Sequence, residues 1–335
     1  MNFSLMFTKR PIATIAMNLA PRKGSWGGAN QWASQVSRAL RLCGYAVRHD
    51  LRRPVDAILM THTGLSAGTT FGAEDVLQYK NRIPGVPCVH RINDNDIRKG
   101  TDRMDNFLAE SSKAADHTVF VSEWLRDYHA ARWFDVSRPH SVIAPGADPS
   151  VFHPLGNRPP AESEAFRIVT HHWSDHPAKG FPVYARIDEA IASGELEGFE
   201  LWIIGRWPRD LVWRTAKTFP PSSGPQLARL LRMCHAYVTA SQHEPGAMHP
   251  VEGIQCGLPV AYSADSGGSA TQCAPYGIPF DTDPIPALLG LREKHAALRA
   301  EVLAHPPSGD LMCLEYRRLL QSLVAISGCG AGRRL

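Results

Sequence analysis

Nowhere does the 335-residue chain string together the uninterrupted apolar run of about eighteen residues that a membrane-spanning helix requires, so no such helix is expected. The most apolar end, MNFSLMFTKRPIATIAMNLA, has Lys9, Arg10 and Pro11 in its middle, where a secretory leader needs an uncharged core, and it reads as a first strand instead. Charge of one sign is also scarce. Against 32 acidic residues stand 36 Lys and Arg, a net +4 that fits an anionic small substrate or a loose contact with anionic lipid and is too mild to signal nucleic acid. No RNA- or DNA-binding motif appears. The seven cysteines, Cys43, Cys88, Cys234, Cys256, Cys273, Cys313 and Cys329, are odd in number and lack close metal-type pairs, which argues against a disulfide framework and for reduced thiols in a cytoplasmic protein.

What remains is an ordinary globular composition, 44% hydrophobic and 20% charged, over a length that suits two domains of about 150 residues. Short apolar runs at 12–19, 45–49, 55–60, 88–92 and 118–121 alternate with helical spacing at 30–42, 72–82 and 103–115, which predicts an α/β fold with a doubly wound, mostly parallel sheet. Ser122 is placed to cap a following helix, and a strand is expected at 142–144. A Pro- and polar-rich stretch at 156–166 then reads as a linker. Strands at 167–173, 200–205, 215–219 (an edge strand), 235–240 and 259–262 follow, with helices at 180–192, 225–234, 288–303 and 310–326 and a frayed tail beyond Ser327.

One stretch stands out: SQHEPGAMHPVEGIQCGLPVAYSADSGG, Ser241 to Gly268. It follows a buried strand and leads through a loop into a short helix, with Pro250 near that helix's start. Unpaired N–H groups at such a helix end, here around Gly246, Ala247 and Met248, favour a phosphate. Glu244 and Glu252 frame the same place. Carboxylates do not bind phosphate but do accept hydrogen bonds from hydroxyls, so phosphate and sugar together suggest a nucleotide sugar. The plainer reading is an exposed loop acid and a solvated helix acid.

The full pattern resembles the retaining glycosyltransferases of family 4: Glu244, seven residues, Glu252, a small apolar helix, Gly257, Pro259–Val260 and the Gly267–Gly268 turn. The likeness extends to the end of the first half, where Gly146, Asp148, Phe152 and Pro154 occupy a familiar Gly-x-Asp and Phe-x-Pro. It implies the GT-B architecture, two Rossmann-like domains facing across a cleft: an acceptor-side domain over 1–155, the linker 156–166, a nucleotide-sugar-binding domain over 167–307, and a C-terminal helix in 308–335 returning to the first domain. It further implies that Lys179 grips the donor diphosphate at a helix start, that Glu252 takes the ribose, that Glu244 takes the sugar, and that the Gly-rich loop with Gly27 and Gly28 touches donor phosphate or acceptor. Three departures stand beside it: Trp173 and Ser174 where an Arg is usual, Asn93 where a His is usual, and Ser269–Ala270–Thr271 where an acid is usual.

The expected activity is therefore retaining transfer of a hexosyl unit from a nucleoside diphosphate sugar, UDP- or GDP-linked, to a hydroxyl acceptor (a glycan, a lipid-linked saccharide or a small molecule), without a metal or other cofactor. Lys179 and Glu244 are the candidate catalytic groups. Arg206, just past a strand, is a candidate replacement for the missing Arg, and His62, Arg91 and Asn93 at strand ends are candidates for the acceptor or sugar side. Two alternatives stay open, a hydrolysing sugar-nucleotide epimerase and a non-catalytic nucleotide-sugar-binding subunit. Asp94–Asn95–Asp96 also spells the Asp-x-Asp of metal-dependent glycosyltransferases, although a solvated loop beside Arg98 and Lys99 explains the same letters. His171, His172 and His176 cluster, but neighbours on a strand point to opposite faces and no acid completes a zinc set. Arg38, Arg41, Arg48, Arg52 and Arg53 form a basic region, read as a solvated face with peripheral lipid contact as the alternative.

Overall fold

The computed structural model describes residues 11–24, 26–61 and 68–330, with side chains described as far as 325. It contains two parallel six-stranded sheets. The first has the order β2-β1-β3-β4-β5-β6, built from β1 (Thr14–Met17), β2 (Ala46–Arg48), β3 (Ala57–Met60), β4 (Cys88–Ile92), β5 (His117–Phe120) and β6 (His140–Val142). The second has the order β12-β11-β10-β7-β8-β9, from β7 (Phe166–His172), β8 (Phe199–Gly205), β9 (Lys217–Phe219), β10 (Ala236–Thr239), β11 (Val260–Ser263) and β12 (Gly277–Phe280). Each sheet reverses its winding once, beside β1 and β3 in the first and beside β7 and β10 in the second. At such a point neighbouring connections leave in opposite directions and open a crevice above the strand ends.

Burial explains the strand sequences. A parallel sheet covered on both faces needs continuous apolar runs, and FRIVTHH and FELWIIG are buried along nearly their whole length. The helices supply the cover with an apolar stripe. In α1 (Gly28–Leu42) Trp32, Ala33, Val36 and Leu40 face inward, and α2 (Ala73–Arg82), α3 (Asp96–Lys99), α4 (Met104–Ser112) and α5 (Glu123–Ala130) complete the first half. Around the second sheet lie α6 (Phe181–Ala192), α7 (Gly224–Arg232), α8 (Met248–Gln255), α9 (Gly268–Cys273), α10 (Ile285–Glu293) and α11 (His295–Ala304). The last helix, α12 (Gly309–Gly330), packs back against α1: Met312, Tyr316 and Leu320, four apart, enter one core with Trp32, Leu40 and Ile15. The chain returns where it left, since Gly309 N donates to Ala147 O at 2.8 Å.

Three expectations need correction. The helix anticipated over 288–303 is two helices, α10 and α11, parted at Lys294. The buried His295 ring reaches the His235 carbonyl at 2.9 Å, and this tertiary bond turns the chain. α8 starts at Met248, near Pro250 as expected, and the proline sits in the first turn where its missing N–H costs nothing. β6 lies at His140–Val142 rather than over 142–144, and α12 remains helical past Ser327 to Gly330.

Candidate active site

The cleft lies at the strand ends beside the reversal of the second sheet and is walled by both halves. After β10 the chain makes a tight loop in which His243 takes φ 51, the one positive φ among the described non-glycine residues, a cost the surroundings must hold in place. Two bonds do so: His243 N donates to Asp265 O at 2.9 Å, and Asn95 Nδ2, from the first half, donates to His243 O at 3.3 Å. The next residue, Glu244, is thereby turned inward, 5% exposed.

Glu244 sits between two cations from opposite halves. Lys179 Nζ lies 2.5 Å from Oε1 and Arg98 Nε 2.8 Å from Oε2. Lys179 reaches this place because a 3₁₀ turn, Pro177–Lys179, ends at Gly180 with φ 75, where a Cβ would lie 2.2 Å from Ala240 O. Only glycine permits that approach, and it docks the Lys179 turn on the end of β10. Burial works to raise the Glu244 carboxyl, but Lys179 and then Arg98 outweigh it and bring its pKa down to about 2. Glu244 is therefore an anion at any working pH, an acceptor of hydrogen bonds and not a proton donor. Arg98 went unnamed among the site candidates read from sequence.

α8 opens the second wall. Its Ala247 N–H is already taken by Ser269 Oγ at 2.9 Å, so of the three amides expected to face a phosphate the ones left are those of Gly246 and Met248. Ser269 stands where the family pattern usually has an acid, and here it ties down the helix start. The N-terminus of α1 meets that of α8, since a Cβ on Gly28 would lie 2.8 Å from Met248 Cγ. Two positive helix ends thus converge on one cleft.

Glu252, one turn into α8 and 5% exposed, is fixed by a buried chain of hydrogen bonds. His171 Nε2, at the end of β7, is 2.8 Å from Glu252 Oε2; His171 Nδ1 and His249 Nδ1 are each 3.0 Å from Tyr237 Oη; His249 Nε2 is 3.2 Å from Ser241 Oγ. One assignment of protons satisfies every link: Ser241 donates to His249, His249 to Tyr237, Tyr237 to His171 and His171 to Glu252. Burial, reinforced by Lys179, lowers the His249 pKa well below that of a free histidine, and burial raises that of Tyr237 well above its usual value, consistent with a neutral His249 and a protonated Tyr237. One carboxylate oxygen is engaged and the other is available to the cleft. An acid does therefore lie against His171, as a hydrogen-bond partner, while among the described residues no group of three or more His, Cys, Asp or Glu could hold a metal ion. His172 turns instead to Thr170 Oγ1 at 3.1 Å, and His176 Nδ1 accepts from Ala178 N at 3.2 Å.

The remaining candidates divide. Gly27, Gly28, Arg91 and Asn93 line the cleft on the first half, with Asn93 Oδ1 accepting from Thr61 Oγ1 at 3.2 Å. Arg206 does not line it. It lies exposed on the rim, stacked 4.5 Å over Trp173 with Nη1 on the Trp173 carbonyl at 2.6 Å, and Trp173 in turn meets Trp26 across the mouth at 5.3 Å between ring centroids. His62 lies outside the described residues. In the Asp-x-Asp triplet, Asp94 pairs with Arg98 and Lys99, Asn95 caps α3, and Asp96 accepts from Thr101 Oγ1 at 2.5 Å, Met104 N at 2.7 Å and Asp105 N at 3.1 Å. Asp96 is spent on starting α4 and is absent from the cleft wall.

No protein-family profile matches the chain, and no curated protein is significantly similar to it. Solved structures do share its fold, and the fold is GT-B: two Rossmann-like units, each with a six-stranded parallel sheet. Sucrose-phosphate synthase from Thermosynechococcus elongatus superposes with a TM-score of 0.65 at 17% identity, over 95% of this chain and 100% of that one. Anabaena HepE in complex with UDP-glucose gives 0.67 at 14% identity, over 92% and 100%. WaaG, a glycosyltransferase of lipopolysaccharide biosynthesis, gives 0.61 at 12% identity, over 93% and 99%.

Proposed function

We propose that the protein is a retaining glycosyltransferase of the family 4 type, which moves a hexosyl unit from a nucleoside diphosphate sugar to a hydroxyl acceptor without a metal ion. The observation that carries this reading is the Lys179–Glu244–Arg98 triad set beside the N-terminus of α8, with Glu252 on the same helix. Glycosyl transfer builds positive charge on the sugar ring and negative charge on the departing diphosphate. Lys179 and the Gly246 and Met248 amides are the groups suited to that negative charge, and Arg98, poised on the other side of Glu244, takes the part of the missing Arg. The permanently ionised Glu244 suits the hydroxyls of the transferred sugar, and the free oxygen of Glu252 suits those of the ribose. The UDP-glucose of HepE supports starting with uridine donors.

Among the described residues no helix is long and apolar enough to cross a membrane. Within the basic region Arg38 pairs with Asp148 at 2.7 Å and Arg48 with Asp50 at 3.2 Å, which favours a solvated face. The test is thermal shift against a panel of nucleoside diphosphates and their sugars, followed by turnover of the selected donor with and without a chelator. Stabilisation by one nucleotide class and chelator-resistant transfer are expected. No stabilisation by any nucleotide would overturn the reading, and transfer rescued only by manganese would overturn its metal-free form.

A further inference from the structure

Arg91, Arg98 and Lys179 are the three Lys and Arg side chains lining the cleft, and their circumstances differ. Lys179 and Arg98 share Glu244, and Arg98 also reaches Asp94. Arg91, on β4 and 3% exposed, has no carboxylate in ion-pair reach among the described residues. The segments outside them, residues 1–10, 25, 62–67 and 331–335, contain no Asp or Glu that could supply one. Its guanidinium lies 4.4 Å over the Trp32 ring and spends one N–H on Thr61 Oγ1 at 3.2 Å, while Nε is buried without an acceptor. Trp32 Nε1 and Tyr316 Oη, on rings 5.5 Å apart that wall this corner, are likewise buried without a well-aligned hydrogen bond, although Arg91 and Trp32 both lie near enough to the Tyr316 hydroxyl to act on it.

Burial depresses the Arg91 pKa, with the Tyr316 hydroxyl opposing the shift, yet a guanidinium so far above neutrality stays charged. A buried charge with no anionic partner is costly, and an apolar side chain over Trp32 would avoid that cost. The adjoining backbone is also suited to an anion. The first turn of α1 holds no acid, Gly27 offers no side chain to its open amides, and Gly27, Gly28 and Ala29 line the cleft with Arg91. The donor diphosphate has its own cations in Lys179 and Arg98 beside α8.

We propose that Arg91 receives an anionic group, a phosphate or a carboxylate, carried by the acceptor, so that the enzyme glycosylates an acidic saccharide or sugar phosphate in preference to a neutral one. The word acceptor rests on the glycosyltransferase reading; the anion site does not. Calorimetry with glucose 6-phosphate, glucuronate and glucose, each with and without saturating UDP, separates the two. With UDP bound, one of the charged sugars should bind about tenfold or more tightly than glucose. Arg91→Met should erase that preference while UDP affinity is kept and the melting temperature holds or rises, and Arg91→Lys should retain part of it. Equal binding of all three sugars would overturn the proposal. So would displacement of the charged sugar by UDP, which would assign Arg91 to the donor, or a marked fall in melting temperature in Arg91→Met, which would make it a structural residue. Failure of UDP itself to bind would count against the enzyme reading, and Arg91-dependent binding of inorganic phosphate in its absence would still decide the site.

Discussion

Replacing Glu244 by Gln removes a negative charge while keeping the shape, and its consequences can be worked out from the two cations it separates. The carboxyl falls from 4.5 to about 2 on folding, which at about 1.4 kcal/mol per unit is worth about 3 kcal/mol. Loss of one member of a buried pair generally costs about 3–5 kcal/mol, in agreement. Because the folded pKa lies below the unfolded one, this stability is fully present above about pH 4.5 and drains away as pH falls toward 2. In Glu244→Gln one amide oxygen still accepts from Lys179 or Arg98, but the amide nitrogen presents a donor to the other cation. The melting temperature at pH 7 should drop by roughly 4–7 °C, and the acid limb of its pH profile should flatten between about pH 4.5 and 3. UDP, which supplies negative charge to the same cations, should raise the melting temperature of the variant more than that of the wild type. Thermal denaturation across pH 3 to 8, with and without UDP, checks all three. An unchanged melting temperature at pH 7 with parallel acid limbs would refute the reasoning.

Three further predictions follow from neighbouring contacts. Lys179→Ala should lower turnover by roughly two to three decades and donor affinity much less, because the charge it meets grows as the bond breaks; equal losses in affinity with intact turnover would confine Lys179 to the ground state. Glu252→Ala should weaken binding of the nucleoside diphosphate about tenfold to several hundredfold by calorimetry, and Tyr237→Phe, which only breaks the chain behind Glu252, should give a smaller loss. Gly180→Ala, forcing a Cβ onto the Ala240 carbonyl at 2.2 Å, should cost about 2–4 kcal/mol in chemical denaturation and shift the Lys179 turn, so that activity falls beyond the stability loss.

The fold class was legible because strand and helix periods alternate cleanly and buried strands such as ELWIIG announce themselves. The anion-binding helix end was legible for a related reason: strand, loop and helix start are contiguous in sequence. Arg98 was not, since it meets Glu244 from 146 positions away, on a short helix of the other half, and no spacing rule connects them. His171 carried a signal, a polar residue at the end of an apolar strand, but its partner Glu252 is 81 residues on, so the letters alone showed only a histidine cluster without an acid. The break between α10 and α11 has no glycine or proline to mark it. It is made by His295 bonding a carbonyl 60 residues earlier, which local periodicity cannot register.

The return of α12 to the first half has a consequence for biosynthesis. Tyr316, Met312 and Leu320 are part of the same core as Trp32 and Ile15, so the half of the protein that leaves the ribosome first cannot finish folding until residue 330 or so has been made. The second half, contiguous from β7 to α11, has its core strands and covering helices complete earlier and is the natural first folder, reversing the usual order of synthesis. Until α12 docks, Trp32 and its neighbours are exposed in a nascent chain, and the corner that shelters Arg91 lacks its Tyr316 wall. A stop placed just before Gly309 would leave the second half able to fold and the first half a client of chaperones.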